Sequence, residues 1–175
     1  KGIYYRPKVT KFGTVPISDE EIAGHFVDDG KGLLIGYTLY NQKNLTTQVS
    51  KHVEVLSTAL TEQKKNIGNV SVSKCDIELN DKTVPVIETM EILQNYSKIE
   101  DLNKNALADY MKKFSENYSD ESAVYVLDNR KYKKSTIAFL RSFLNHFDVK
   151  NSLSKYLSSL SKYAIPEMGE FYETA

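Results

Sequence analysis

Four cations lie within five positions of the C-terminal half of the sequence, and an apolar helical pattern follows them directly. Guanidinium and ammonium groups bind carboxylates and phosphates, and a helix N-terminus adds free amide donors for an anion. An aromatic ring inside such a cluster can stack on a nucleobase. The stretch therefore predicts a site for an anion, an acidic partner or a nucleic acid, with a solvated lysine loop as the alternative. The predicted residues are Arg130, Lys131, Tyr132, Lys133, Lys134 and Arg141.

The C-terminal segment PEMGEFYETA contains acidic and large apolar side chains but no cation. An acidic arm with aromatic anchors is typical of a docking peptide. We expect it to bind the basic loop of its own chain or a neighbouring copy, and head-to-tail contact between copies would give rings or filaments. A frayed terminus is the alternative. The predicted interface residues are Glu167, Met168, Glu170, Phe171, Tyr172 and Glu173.

No motif for catalysis, a cofactor or a metal ion is recognisable. The glycines of VDDGKGLLIG have neither P-loop nor dinucleotide-binding spacing, and the sequence contains no G-x-S-x-G motif. The single cysteine, Cys75, excludes an internal disulfide, and His25, His52 and His146 have no metal-ligand spacing. We therefore predict no catalytic residue, cofactor or metal ion. An enzyme would need a site assembled from distant residues, such as His25 or His146 with a carboxylate.

Composition sets further limits. The 175 residues include 23 basic and 23 acidic side chains, so a general attraction to nucleic acid is not favoured. Lysine supplies 20 of the 23 basic residues and tryptophan is absent, a bias expected from an AT-rich genome, bacterial or viral. No apolar run approaches the roughly 18 residues that cross a bilayer. We expect no membrane partner and a location in the cytoplasm or in a virion.

The periodicity of apolar residues predicts an α+β fold. The predicted elements give the ferredoxin-like order β-α-β-β-α-β, with both helices on one face of the sheet. Another α+β arrangement is the alternative. The elements are strand 33–40, helix 45–65, strand 70–79, strand 84–93, helix 97–117 and strand 122–127.

The flanks of this core are predicted to be an arm and a helical hairpin. Ser18 and Glu21 form a capping box, so a short helix begins there after an extended N-terminal segment. Ser135 can cap a helix that ends near Phe147, and a second helix over 151–163 would complete the hairpin. We therefore divide the chain into an N-terminal arm and short helix, a single α+β domain with C-terminal helices, and an acidic tail: 1–32, 33–165 and 166–175.

The most economical function for these features is a non-catalytic assembly module that self-associates, as a component of a phage particle or another bacterial complex. The helix over 137–147 is apolar on more than one face, which fits a buried helix or a contact with another chain. Nucleic-acid binding by the basic loop is the first alternative. An enzyme with a dispersed site is the second.

Overall fold

The computed structural model describes residues 7–11 and 13–172, and within them it contains six α-helices and six β-strands. The helices are α1 (Asp19–Val27), α2 (Gly36–Gln42), α3 (Thr83–Asn95), α4 (Lys104–Glu116), α5 (Asp120–Asn129) and α6 (Lys134–His146). The strands are β1 (Lys8–Thr10), β2 (Gly13–Val15), β3 (Gly32–Ile35), β4 (Val53–Ser57), β5 (Lys64–Ile67) and β6 (Val70–Lys74). Short 3-10 helices cover Asp28–Gly30, Tyr96–Lys98, Leu153–Tyr156 and Met168–Glu170.

Four strands form one mixed sheet in the order β3-β4-β6-β5. The central strands β4 and β6 are parallel, and the outer strands β3 and β5 are antiparallel to their neighbours. β1 and β2 form a separate antiparallel hairpin, and they pair with no other strand of the described residues. Because successive side chains of a strand point to opposite faces, the sheet presents one set of residues to α1 and another to the remaining helices.

The face toward α1 holds the smaller of two hydrophobic cores. Val55, Val70 and Val72 pack there against Ile22 and Phe26 of α1. Val55 of β4 lies opposite Val72 of β6 in this parallel pair, so their side chains point to the same face of the sheet. α1 therefore covers the sheet from one side and closes this core.

The predicted capping box at the start of α1 is confirmed. The Ser18 hydroxyl accepts a hydrogen bond from the Glu21 amide at 3.1 Å, and the Glu21 carboxylate accepts one from the Ser18 amide at 3.2 Å. Both bonds use amides that the helix itself leaves without a partner.

The other face of β3 and β4 packs on the helices, where the larger core lies. Leu33 and Ile35 of β3 and Leu56 of β4 meet the helical layer there. Phe143 and Leu140 of α6 are completely buried in the same core. Within residues 7–11 and 13–172, no helix combines the length and apolarity that crossing a bilayer requires.

The α+β class is confirmed, whereas the ferredoxin-like order β-α-β-β-α-β is not confirmed. The first strand of that order, predicted over 33–40, ends at Ile35, and α2 follows at once. Gly36 has a φ of +62°, a left-handed conformation that glycine adopts without steric cost. The chain therefore turns from strand to helix in the middle of a stretch whose residue types favour a strand.

The helix predicted over 45–65 is wrong. This segment contains an irregular stretch, β4 and the start of β5. β4 is buried on both faces, so Val55 and Leu56 are adjacent core residues rather than alternating ones. With Leu45 and Leu60 also buried, the apolar residues fall at helix-like spacing although they belong to different structures.

The strands predicted over 84–93 and 122–127 are also wrong, because both segments are helical. α3 is buried on most sides, and even Thr89 and Glu91 are buried, so its mixture of apolar and polar residues shows no clear helical period that would distinguish it from a strand. Pro85 lies in the first turn of α3, where a missing amide costs little. α5 is capped by Ser119, whose hydroxyl accepts a hydrogen bond from the Ser122 amide at 3.3 Å.

The remaining helix predictions are partly correct. α4 starts at Lys104 rather than at 97, because the Asn103 side chain caps it by accepting from the Ala106 amide at 3.1 Å. α6 matches the predicted helix 135–147 to within one residue at each end. The second helix of the predicted hairpin is reduced to Leu153–Tyr156, and Leu160 beyond it is 95% exposed. The serine-rich sequence there offers too few apolar residues to hold a longer helix on the core.

Candidate functional site

The basic loop, defined as residues 130–134, begins with an arginine that is tied to α3. The Arg130 guanidinium Nη2 lies 3.0 Å from Oε1 of Glu91, whose side chain is only 8% exposed. Burial raises the pKa of the Glu91 carboxyl, and the nearby guanidinium opposes that increase. The Arg130 amide also donates to the Val126 carbonyl at 2.8 Å, at the C-terminal end of α5. Arg130 is thus a structural residue that joins α5 to α3.

Tyr132 is held by the same arginine. The Arg130 guanidinium carbon lies 5.7 Å from the centre of the Tyr132 ring, at cation–π distance. The Tyr132 hydroxyl is buried and has no hydrogen-bond partner among the described residues. Burial raises the pKa of this hydroxyl, with Glu91 adding to the increase. One face of the ring is therefore covered by its own chain, which leaves less of it for stacking on a base.

The three lysines of the loop are exposed and surround the start of α6. The Lys133 amide donates to the side-chain oxygen of Gln94 at 3.2 Å, which fixes the backbone of the loop on α3. Among the described residues no side chain caps α6, so its first turn carries free amides beside Lys131, Lys133 and Lys134. This arrangement has positive potential and suits an anion.

Arg141 does not join this group. It lies two helical turns further along α6, is half-buried, and borders a cavity of about 360 Å³ formed with Leu157 and Tyr163. The six residues predicted as one site therefore divide into three environments. They are a partly buried pair (Arg130, Tyr132), a surface cluster (Lys131, Lys133, Lys134) and a separate residue on α6 (Arg141).

The aromatic anchors of the acidic tail pack on their own chain. Phe171 is 7% exposed and contacts the rings of Tyr96, Phe139 and Phe143, with centroid distances from 5.2 to 6.0 Å. These contacts place the tail over α6 and the 3-10 turn that follows α3. The hydrophobic part of the tail is thus occupied within one chain.

Tyr172 and the glutamates complete the docking of the tail. The Tyr172 hydroxyl donates to the Ala108 carbonyl at 2.7 Å, and its ring stacks on His146 at 4.6 Å. Glu170 forms an ion pair with Lys104 of α4 at 2.7 Å, rather than with the basic loop. Met168 is half-buried and Glu167 exposed, whereas Glu173 lies outside the described residues.

The N-terminal hairpin, defined as Lys8–Val15, differs from the rest of the structure. Every residue from Pro7 to Pro16 whose side chain is described is exposed. Val9 is 80% exposed and Val15 is 45% exposed, on opposite faces of the hairpin. No described side chain of the hairpin is buried against the body of the chain, which is unusual for paired strands.

The chain matches no protein-family model, no curated protein and no solved structure.

Cys75 is buried in the core, whereas the three histidines lie on the surface. Cys75 is 3% exposed, and its thiol points at the Ile77 carbonyl, 3.7 Å away. His25, His52 and His146 are exposed; His25 lies on α1, His146 lies on α6, and His52 lies in the loop before β4. Across the described ranges, no group of three or more His, Cys, Asp or Glu side chains is arranged to hold a metal ion.

The prediction from sequence missed the residue that organises the basic loop. Glu91 lies inside the apolar run VPVIETMEIL, and a charged residue there needs a buried partner. That signal could have identified a salt bridge, although not Arg130 as its partner. The exposed valines of the N-terminal hairpin had no comparable signal, because exposure depends on the packing of the whole chain.

Proposed function

We propose that this chain is a non-catalytic protein–protein interaction module that self-associates, and that its N-terminal hairpin binds a second copy. The observation that carries this proposal is the exposure of the hairpin, with Val9 80% exposed and no described side chain from Pro7 to Pro16 buried. A location in the cytoplasm or in a virion, and a phage or bacterial origin, stay predictions.

Physical chemistry favours a partner for the hairpin. Two strands of three residues cannot bury a hydrophobic face and are marginally stable alone. Full burial of a valine side chain contributes roughly 1.5–3 kcal/mol, so docking the face that carries Val9 on another surface would stabilise the paired strands. Pro7 and Pro16 flank the hairpin and restrict the backbone on either side, which limits the ordering cost of docking.

Charge favours a second copy as that partner. Residues 1–17 contain four basic residues and no acidic one: Lys1, Arg6, Lys8 and Lys11. The remaining residues contain 23 − 4 = 19 basic and 23 − 0 = 23 acidic side chains, a net charge of −4. The two parts of the chain are therefore complementary, and opposite charge steers encounter between copies. Reciprocal exchange of the hairpin would close a dimer, and one-way binding would extend a filament.

Light scattering coupled to size-exclusion chromatography tests this proposal. We expect the full chain to form a defined oligomer and a chain lacking residues 1–16 to be monomeric. Val9→Asp should lower the oligomer mass, because a charge replaces an apolar contact. Val49 is 85% exposed but lies outside the hairpin, so Val49→Asp is the matched control and should leave the mass unchanged. A monomeric full chain, or an oligomer that survives the deletion, would refute the proposal.

Nucleic-acid binding is the second candidate function, and the exposed lysines beside the uncapped start of α6 favour it. Affinity for a fluorescent single-stranded oligonucleotide should then fall steeply between about 50 and 200 mM salt, as counterion release requires. Replacing Lys131, Lys133 and Lys134 with alanine should abolish the binding. Affinity that is unchanged by the triple substitution would exclude this surface.

A further inference from the structure

An open polar cleft lies on the sheet, and its lining includes no residue of the hairpin or of the basic loop. The helices cover β3 and part of β4 on this face, but they leave the β6–β5 half uncovered. The cleft has a volume of about 410 Å³, which is within the usual range for small-molecule sites. Most of its lining is polar, and the principal side chains are His52, Glu54, Lys64, Asn66, Ser71 and Ser73.

The register of the sheet explains why polar groups gather there. Glu54 lies opposite Ser71, and Ser71 lies opposite Asn66, so these three side chains form one row across the face. Ser73 and Lys64 lie opposite each other and continue the next row. Alternation sends Val70, Val72 and Ile67 to the α1 side instead. The same strands thus give α1 an apolar surface and give the cleft a polar floor.

The two charged groups of the cleft have no partner in the described part of the chain. Glu54 and Lys64 make no side-chain hydrogen bond or ion pair there, although both are exposed on the same face of the sheet. Neighbouring lysines are paired: Lys65 lies 3.3 Å from Glu62, and Lys74 also binds a carboxylate. The cleft therefore carries an unpaired carboxylate and an unpaired ammonium group at separate positions.

The Glu54 end of the cleft is electrostatically negative. A Cβ atom on Gly36 would lie 3.1 Å from the Glu54 carboxyl carbon, so glycine at that position lets the carboxylate lie close to the backbone. Burial and, after it, the charges of Glu91 and Glu54 raise the pKa of the Tyr40 hydroxyl. This end therefore favours a cation, whereas the Lys64 end favours an anion.

Hydrogen-bonding groups lie between the two ends. Ser71 donates to the side-chain oxygen of Asn66 at 2.9 Å, which leaves the Asn66 amide hydrogens available as donors. Ser73 has no side-chain partner in the described residues and offers both a donor and an acceptor. His52 Nδ1 lies 3.0 Å from the Asn69 carbonyl, which can only accept, so Nδ1 donates this hydrogen bond. These groups match the donors and acceptors of peptide bonds.

We propose that this cleft binds a short peptide with free ends, its ammonium group at Glu54 and its carboxylate at Lys64. The spacing supports a peptide over a single amino acid. Glu54 and Lys64 are two strands and two residues apart, which separates their Cα atoms by about 12 Å. An amino acid carries both charges on one carbon and cannot reach both ends while the Glu54 and Lys64 side chains stand upright from the sheet. A dipeptide or tripeptide can, and its peptide groups then lie over Ser71, Ser73 and Asn66.

Nuclear magnetic resonance titration of the ¹⁵N-labelled full chain with trialanine at low salt tests the proposal. We expect saturable shifts concentrated in β4, β5 and β6. N-acetyl-trialanine and trialanine amide, each lacking one terminal charge, should bind at least tenfold more weakly, because each loses one charge-assisted contact. Absence of saturable shifts, or equal affinity for all three peptides, would overturn the proposal.

Variants assign each charge to its residue. Lys64→Met should weaken trialanine binding at least tenfold and should not change the affinity of trialanine amide. Lys65→Met is the matched control, since Lys65 is the next residue of β5 and points to the α1 face. Glu54→Gln should remove the preference for trialanine over its N-acetylated form. Equal losses from Lys64→Met and Lys65→Met, or a preference that survives Glu54→Gln, would refute the assigned orientation.

Discussion

Arg130 Nη2 lies 3.0 Å from Glu91 Oε1, and this contact determines what the basic loop can do. Removing two charges from water is costly, and the attraction between them offsets that cost only while both are present. Arg130 is therefore needed by the fold and is not a free charge for a partner. The free charge of the loop resides in Lys131, Lys133 and Lys134, all of which are exposed.

Replacing Arg130 should destabilise the chain far more than replacing its neighbour. Arg130→Met leaves Glu91 buried without a counter-charge, and we expect a loss of about 2–3 kcal/mol in the free energy of unfolding, because Arg130 is partly exposed. Lys131→Met is the matched control and should change stability by less than about 0.5 kcal/mol. Urea unfolding monitored by circular dichroism measures both. Equal effects of the two substitutions would contradict the structural role of Arg130.

The pH dependence of stability should reflect Glu91. Burial raises the pKa of this carboxyl in the folded state above its ordinary value of 4.5, despite the guanidinium of Arg130. A raised pKa means that the folded state binds the proton more tightly than the unfolded state. The stabilisation is therefore complete below about pH 4.5 and is lost as the pH rises through the folded-state value.

Glu91→Gln removes that titration and keeps an acceptor for Arg130. The difference in unfolding free energy between the original chain and the variant should therefore fall as the pH rises above about 4.5. Urea unfolding at several pH values from about 4 to 8 measures this difference. Two curves that stay parallel over the whole range would show that the pKa of Glu91 is the same in the folded and unfolded states.

The tail should contribute to the stability of each chain. Phe171 is 7% exposed among three aromatic rings, so Phe171→Ala should cost about 3 kcal/mol of unfolding free energy. Glu167 is exposed in the same tail, and Glu167→Ala should be nearly neutral. Thermal or urea unfolding measures the loss, and light scattering measures the oligomer mass. A mass that falls while stability is unchanged would instead assign the tail to a neighbouring copy.

Local signals in the sequence predicted some elements well. The Ser18 and Glu21 capping box depends on a few adjacent residues, and it is present as expected. α6 was also predicted almost to its ends, because its apolar pattern is long and continuous. Elements with strong local chemistry are therefore recognisable without knowledge of the rest of the fold.

Elements buried on both sides were not predictable in the same way. β4 and α3 each lie between other elements, so their buried positions do not follow a clear period of 2 or 3.6, and even Thr89 and Glu91 of α3 are buried. The basic loop was recognised from its charges. Which of its cations is bound within the chain depends on Glu91, which is 39 residues away from Arg130 in sequence. The cleft depends on the register of β4, β6 and β5, which no single segment encodes.

Gly32 should be the least replaceable glycine near α1. It pairs with Ser57, whose hydroxyl donates to the Phe26 carbonyl at 2.7 Å, so strand and helix end meet closely there. A Cβ atom on Gly32 would overlap the Phe26 carbonyl oxygen and lie 2.6 Å from that of Leu56. Both are backbone atoms, so the strand would have to move away from α1.

Gly32→Ala should therefore cost about 3 kcal/mol of unfolding free energy through overpacking. Gly169 has no atom within 4 Å of a Cβ at its position, so Gly169→Ala is the control and should be nearly neutral. Urea unfolding compares the two variants. If Gly32→Ala has the same unfolding free energy as the original chain, α1 must be able to shift on the sheet. The amide chemical shifts of α1 and β3 would then have to change.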